Sequence, residues 1–312
     1  MFKLNGKKIW VAGHRGMVGA AVTKKLRNYD CKLITVGRDE LNLVNQKAVH
    51  EWMEYNKPDA IIMAAAKVGG IQANNNFPVN FLYENLMIEA NIIHAAHENN
   101  VERVLCLGSS CIYPKFSEQP IKESSLLTGS LEPTNEWIAV AKIAGIKLIQ
   151  AYQKQFGHNW ISAMPTNIYG PGDNYDLDNS HVLPALIRKF HEAKIAKSSE
   201  VIVWGTGAPL REFMHSSDLA DALIFLLINY NGYEQINVGS GEEVSIQQLV
   251  EVIADVVDYN AKITWDVSKP DGTPRKLMDS SKLQNLGWQS KKSLHDGIMC
   301  TYENWKKEIS QV

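Results

Sequence analysis

The chain has 312 residues, 45% of them hydrophobic and 21% charged, with a formal net charge of -2. That length suits one large domain or two modest ones sharing a core, and the charge balance excludes a basic nucleic-acid binder or a charged tail. No apolar run approaches the roughly 20 residues of a membrane-spanning helix.

The first segment, MFKLNGKKIWVAG, runs straight into a strand, so no secretory signal is expected. Cys31, Cys106, Cys111 and Cys300 show neither CxxC nor metal-type spacing. Free thiols in a reducing cytoplasm, and no metal, are the expectation.

Apolar runs predict strands over 8–12, 32–36, 59–64, 104–108 and 160–164. Helical periodicity separates them, over about 17–28, 46–56, 78–98 and 135–156. Continuous apolar strands alternating with helices predict a parallel sheet covered on both faces. The fold class is therefore α/β, a Rossmann-like doubly wound sheet with ligands at the carboxyl edge of its strands. Beyond residue 165 the pattern loosens, with short strands near 201–204, 236–238 and 262–265 and helices near 217–230 and 245–257. Residues 1–170, with about 205–240 contributing, are expected to form the dinucleotide-binding domain. Residues 171–204 and 241–312 are expected to form a smaller interleaved α/β lobe that binds substrate.

The run Gly13, His14, Arg15, Gly16, Met17, Val18, Gly19 follows the first strand and opens a helix. In that context glycine permits a tight turn and close approach of a pyrophosphate, whose charge the helix N-terminus favours. The second strand is followed by Gly37-Arg38-Asp39. An acidic residue there suits a ribose 2′-hydroxyl and an arginine suits a 2′-phosphate. With Arg15 as a second cation, the reading is NADP rather than NAD.

Further stretches are more specific: AAAKVGGI, EANIIHAAH, LGSSCIYP, LEPTNE, AKIAGIK, MPTNIYGP, NSHVLPAL, VWGTG, REFMH and SKPDGTPRKL. In this order and spacing the chain resembles the GDP-L-fucose synthase family of extended short-chain dehydrogenase/reductases. The resemblance implies 3,5-epimerisation of GDP-4-keto-6-deoxy-D-mannose, or a related GDP-4-keto sugar, followed by NADPH-dependent reduction at C4. It implies that Cys111 and His181 are the epimerisation pair, that Ser109 holds the substrate O4, and that Lys142 binds the nicotinamide ribose. Leu107, Gly108, Ser110, Pro165, Thr166, Asn167, Ile168 and His181 match cofactor-lining positions. Asn167, Lys189, Trp204, Arg211 and Asp271 match substrate-binding positions.

One position departs. The family reads Asn-Glu-Pro-Tyr-Ala-x-Ala-Lys, and this chain reads Asn135-Glu136-Trp137-Ile138-Ala139-Val140-Ala141-Lys142. Ile138 has no proton to give. Three functions follow from that gap: an epimerase/reductase with O4 protonation rerouted, an epimerase that reduces poorly or not at all, and a non-catalytic nucleotide-sugar or NADP-binding protein. The resemblance also implies a homodimer. The helices over 78–98 and 135–156 carry apolar residues on more than one face, among them Leu86, Ile92, Ile93, Ile143, Ile146 and Leu148. The expectation is an intermolecular four-helix bundle. No membrane or nucleic-acid partner is expected.

Overall fold

The computed structural model describes residues 1–177, 180–269 and 271–310. In chain order the first half reads β1 (Lys8–Ala12), α1 (Met17–Leu26), β2 (Lys32–Ile34), α2 (Gln46–Asn56), β3 (Ala60–Met63), α3 (Ile71–Asn76), α4 (Asn85–Glu98), β4 (Arg103–Leu107) and α5 (Glu136–Phe156). Then come β5 (Ile161–Pro165), β6 (Asn167–Tyr169), α6 (Val182–Ile195), β7 (Glu200–Trp204), β8 (Leu210–His215), α7 (Ser216–Asn229) and β9 (Ile236–Val238). The last elements are β10 (Glu243–Ser245), α8 (Ile246–Val257), β11 (Lys262–Asp266), β12 (Arg275–Lys276), α9 (Ser281–Asn285) and α10 (Leu294–Ile309).

Six strands form one parallel sheet in the order β2-β1-β3-β4-β5-β9. Successive side chains of a strand point to opposite faces, and here both faces are covered. Ile9 and Val11 of β1 pack with Val22 and Leu26 of α1 and Leu223 and Leu227 of α7. Trp10 and Ala12 pack on the other side with Val49 and Met53 of α2 and Ile92 of α4. This is why the strands read as unbroken apolar runs. The helix ends have local causes: the Asn45 side chain caps α2 on the Ala48 amide, and Gly157 ends α5 at φ +74°.

A second sheet centres on β8, with β10 antiparallel on it, β12 parallel along its start and β6 parallel along its end. β7 and β11 pair separately in parallel. A further apolar cluster joins α6, α8 and α10 through Leu186, Phe190, Leu249, Ile253, Ile298 and Trp305.

The structure refines the sequence pattern in three places. The second strand ends at Ile34. The helix expected over 78–98 begins as a π-helical turn, Asn80–Glu84, before α4. Strands β6, β8, β10 and β12 and helices α6 and α10 are not singled out by periodicity. β6 and β8 mix polar residues such as Asn167, Arg211 and Glu212 into short runs whose pairing is set by tertiary contact. Among the described residues no helix is long and apolar enough to cross a membrane. All four cysteines are free.

Candidate active site

β1 ends at Gly13, whose φ of +86° is the left-handed conformation that only glycine adopts freely. A Cβ there would lie 2.6 Å from the Ala65 backbone, and one on Gly19 would collide with the Gly13 carbonyl oxygen. The turn is thus pressed against the end of β3 and the start of α1, with no side chain between. Gly16 is the N-cap of α1 and makes no side-chain cap bond, and the first turn of that helix holds no acidic residue. Its amides face the carboxyl edge of the sheet, a cradle that fits a dinucleotide pyrophosphate.

At the adjoining strand end, Arg15 Nη1 lies 2.8 Å from Asp39 Oδ1. The Arg15 guanidinium also lies over Gly37, where a Cβ would come within 2.6 Å of its Nη2. Arg38 is exposed, with a 3.5 Å contact to Glu84. Two guanidinium groups thus flank this strand end, Arg15 paired with Asp39 and Arg38 with Glu84.

β4 delivers Leu107, Gly108 and Ser109 to the same edge. Gly108 must lack a side chain because a Cβ would collide with Met164 of β5. The Ser109 hydroxyl accepts from the Cys111 amide at 3.3 Å and caps the single 3-10 turn Ser110–Ile112. That bond uses the oxygen and leaves the hydroxyl proton to donate. Cys111 is 8% exposed, in an apolar cluster with Ile112, Tyr113, Met164, Met278 and Ile138.

Ile138 stands where the sequence places it, on α5 one turn before Lys142, and packs into that cluster. Trp137 points outward and is 36% exposed. The Lys142 ammonium donates to Glu89 Oε1 at 2.7 Å and to the Leu107 carbonyl at 2.9 Å. Burial alone would push Lys142 down, but the Glu89 carboxylate outweighs it and raises the ammonium above its ordinary value.

Pro165, Thr166, Asn167 and Ile168 cross from β5 to β6. Thr166 Oγ1 and Asn167 Nδ2 both donate to the Glu212 carbonyl, at 3.2 and 2.8 Å, so these side chains also pin β8 to the edge of the large sheet.

His181 is the N-cap residue of α6 and makes no side-chain cap bond. The residue is exposed at its surface, and the protein packed around its ring, then the charge of Lys276, lowers its pKa. The charge of Lys276 acts on Cys111 as well. Lys276 of β12, within the SKPDGTPRKL run, carries no role in the sequence reading. Its charge couples to both His181 and Cys111. Glu89 is the second such residue: it opens the stretch EANIIHAAH, which helps carry the resemblance but assigns this glutamate no role.

Trp204 ends β7 and is 65% exposed, so it is no core residue. Lys189 Nζ and Lys269 Nζ lie 6.0 and 5.3 Å from its ring centroid. Asp271 accepts from the Thr206 amide at 2.9 Å and from its hydroxyl at 2.6 Å. Arg211 lies against Gly272, where a Cβ would come 2.8 Å from its Nη2. An aromatic platform, several cations and a carboxylate thus share one rim, a set that suits a nucleoside diphosphate.

A doubly wound sheet with a glycine turn after β1 and polar groups gathered at the ends of β4 and β5 is the architecture of the extended short-chain dehydrogenase/reductases. Residues 9–239 match the family described as NAD dependent epimerase/dehydratase. A GDP-L-fucose synthase of Arabidopsis thaliana is 57% identical, over 97% of this chain and 94% of its own. One from Escherichia coli is 49% identical, over 96% of this chain and 97% of its own. The solved structure of a GDP-L-fucose synthetase from Naegleria fowleri bound to NADP matches with a TM-score of 0.92 at 27% identity, covering 100% of this chain and 98% of that one. The chain belongs to the GDP-L-fucose synthases of the NAD dependent epimerase/dehydratase family.

Proposed function

We propose that this protein epimerises GDP-4-keto-6-deoxy-D-mannose at C3 and C5 and reduces the product at C4 with NADPH, giving GDP-L-fucose. The observation that carries the reading is that Cys111 and His181, far apart in sequence, both lie within reach of the Lys276 charge in a member of this family.

Protons on C3 and C5 are acidic because a ketone stands between those carbons. Inversion takes a base that removes the proton and an acid that returns one to the opposite face of the enolate. Cys111 and His181 fill those roles. A histidine held below its ordinary value rests neutral and ready to accept, and once charged it releases its proton readily. The Lys276 ammonium favours the enolate's negative oxygen over the neutral ketone.

Gly13 to Gly19 hold the cofactor pyrophosphate, Arg15 and Arg38 its 2′-phosphate, and Leu107 to Ser110, Lys142 and Pro165 to Ile168 its nicotinamide end. Bound NADPH supplies a hydride. The chain's own part in reduction is to hold O4 through the Ser109 hydroxyl and bring a proton to it. With Ile138 in place of the phenol, that proton comes from water through Ser109. Losing a general acid slows such a step by about 10²–10⁴-fold, so reduction rather than epimerisation limits turnover here.

Trp204 stacks on the guanine, Lys189 and Arg211 pair the diphosphate, and Asp271, with a lone pair spare on each oxygen, accepts from the ribose, with Asn167 beside the sugar. The protein works as a homodimer through α4 and α5 and their partner copies, in a reducing cytoplasm that suits four free thiols. Incubation with the keto sugar in D₂O tests the reading: deuterium at C3 and C5 without NADPH, and a C4 alcohol with it, are expected. Recovery of unlabelled ketone would refute it.

A further inference from the structure

Lys142 and Glu89 are two buried charges near the ligand edge. They lie on neighbouring helices, 5% and 2% exposed, with 2.7 Å between Nζ and Oε1. The second oxygen of Glu89 lies over Gly145, and a Cβ on that residue would collide with it. Gly145 is therefore bare at a mid-helix position where alanine is the better helix former. A buried ion pair is a weak device for stability, since apolar residues of similar volume usually do as well or better. A pair kept at that cost, with a glycine kept to make room for it, has another use.

The ammonium shows what that use is. Its other bond goes to the carbonyl of Leu107, the last residue of β4, next to Gly108 and Ser109. Ile138, one turn before it, offers no polar contact, and the ammonium's side-chain partner is Glu89, from a different helix. We infer that Glu89 is a positioning residue that fixes the Lys142 ammonium on the Leu107 carbonyl at the nicotinamide end of the cofactor cradle, with Gly145 left bare to admit it. The inference rests on the reading of that cradle as an NADPH site.

A consequence separates this from mere packing. The titratable groups acting on Lys142 are Glu89 from α4, Cys106 from β4 and Cys111 from the turn that follows. Burial disfavours the charged lysine, and Glu89 is the foremost group opposing it. Glu89→Gln keeps the shape and removes the charge, so Lys142 loses its proton at lower pH. Glu89→Asp keeps the charge and restores much of the effect.

Two readouts test this: the pH titration of the Lys142 side chain in lysine-labelled protein by NMR, and NADPH affinity by fluorescence between about pH 7 and 9. In Glu89→Gln the Lys142 resonance should titrate at least about two and a half units lower than in the wild type, low enough for the ammonium to lose its proton within that range. NADPH affinity should fall at least about fivefold more across that range than in the wild type, with Glu89→Asp in between. Should Glu89→Gln fail to fold, Gly145→Ala, which drives the carboxylate away without changing charge, should shift the resonance in the same direction. An unmoved resonance, or a loss of affinity equal at both pH values, would overturn the inference. A wild-type protein that does not bind NADPH would count against the proposed function, and the Lys142 titration would still decide the role of Glu89.

Discussion

Ile138 and Lys142 lie one turn apart on α5, and their side chains end in opposite environments. Ile138 packs with Cys111 in an apolar cluster, while Lys142 reaches Glu89 and the Leu107 carbonyl. Under the proposed function, a hydrocarbon stands where the resemblance expects a phenol, and the Lys142 ammonium beside it is held by Glu89 and the Leu107 carbonyl.

Restoring that donor should therefore restore the step. Ile138→Tyr is expected to raise C4 reduction at least about tenfold, within the range that general acids supply, with deuterium exchange at C3 and C5 changed by less than about threefold. Trp137→Pro together with Ile138→Tyr covers the case in which the indole tilts the start of α5. Reduction no faster than wild type in both variants would mean that O4 is protonated by a route the phenol cannot join.

Cys111→Ser should separate the two reactions. Solvent-deuterium exchange into the keto sugar is expected to fall at least about 100-fold, because a hydroxyl is a far poorer base than a thiolate. NADPH affinity should stay within about threefold. Equal losses in both would place Cys111 in the cofactor site or in the fold.

The pH profile of exchange should report Lys276. Burial and that charge lower the His181 pKa, so the ring stays neutral, and competent as a base, below the ordinary histidine value of about 6.5. As pH falls, exchange is lost only when His181 finally takes up its proton. Lys276→Met removes the charge, lets His181 protonate at higher pH, and moves the acid limb of the profile upward. A limb that stays in place would show that Lys276 does not act on His181 in solution.

The first five strands and the glycine turn are legible in the sequence because each is a local pattern: an unbroken apolar run, or glycines where a strand meets a helix. Lys142 is legible too, from the motif around it. Its partner is not, since Glu89 comes from a helix 53 residues earlier and looks like any charge on an amphipathic stretch. His181 and Lys276 meet through folding of the second half of the chain, where strands are short and mixed in polarity. Helix periodicity also misassigns faces. Ile92, Ile93, Ile143 and Ile146, among the apolar residues read as spread over more than one face, are all buried within this chain, because periodicity cannot say which apolar side meets the chain's own sheet.

The apolar residues left open around these helices include Val79, Tyr83, Trp137, Val140 and Phe156. If a second copy covers them, Val140→Glu should turn a dimer into a monomer in sedimentation at micromolar concentration, since a charge cannot be buried there unpaired. A wild-type monomer, or a variant dimer of unchanged affinity, would contradict the four-helix arrangement.

Cofactor choice should follow the arginines. With Arg15 engaged by Asp39 and Arg38 exposed beside it, NADPH is expected to bind more tightly than NADH, with a gap that shrinks at high salt. Arg38→Ala should narrow the gap at least about fivefold by removing a charge-assisted phosphate contact. Equal affinities in the wild type would give the position to Asp39.

The most direct test of the whole account is one reaction run twice: GDP-4-keto-6-deoxy-D-mannose with this protein in D₂O, without and with NADPH, read by mass spectrometry and NMR. Deuterium at both C3 and C5 in the first tube, and slow stoichiometric conversion of NADPH into a C4 alcohol in the second, is the predicted result. Oxidation of NADPH with no deuterium at either carbon, or no change in the sugar in either tube, would contradict it.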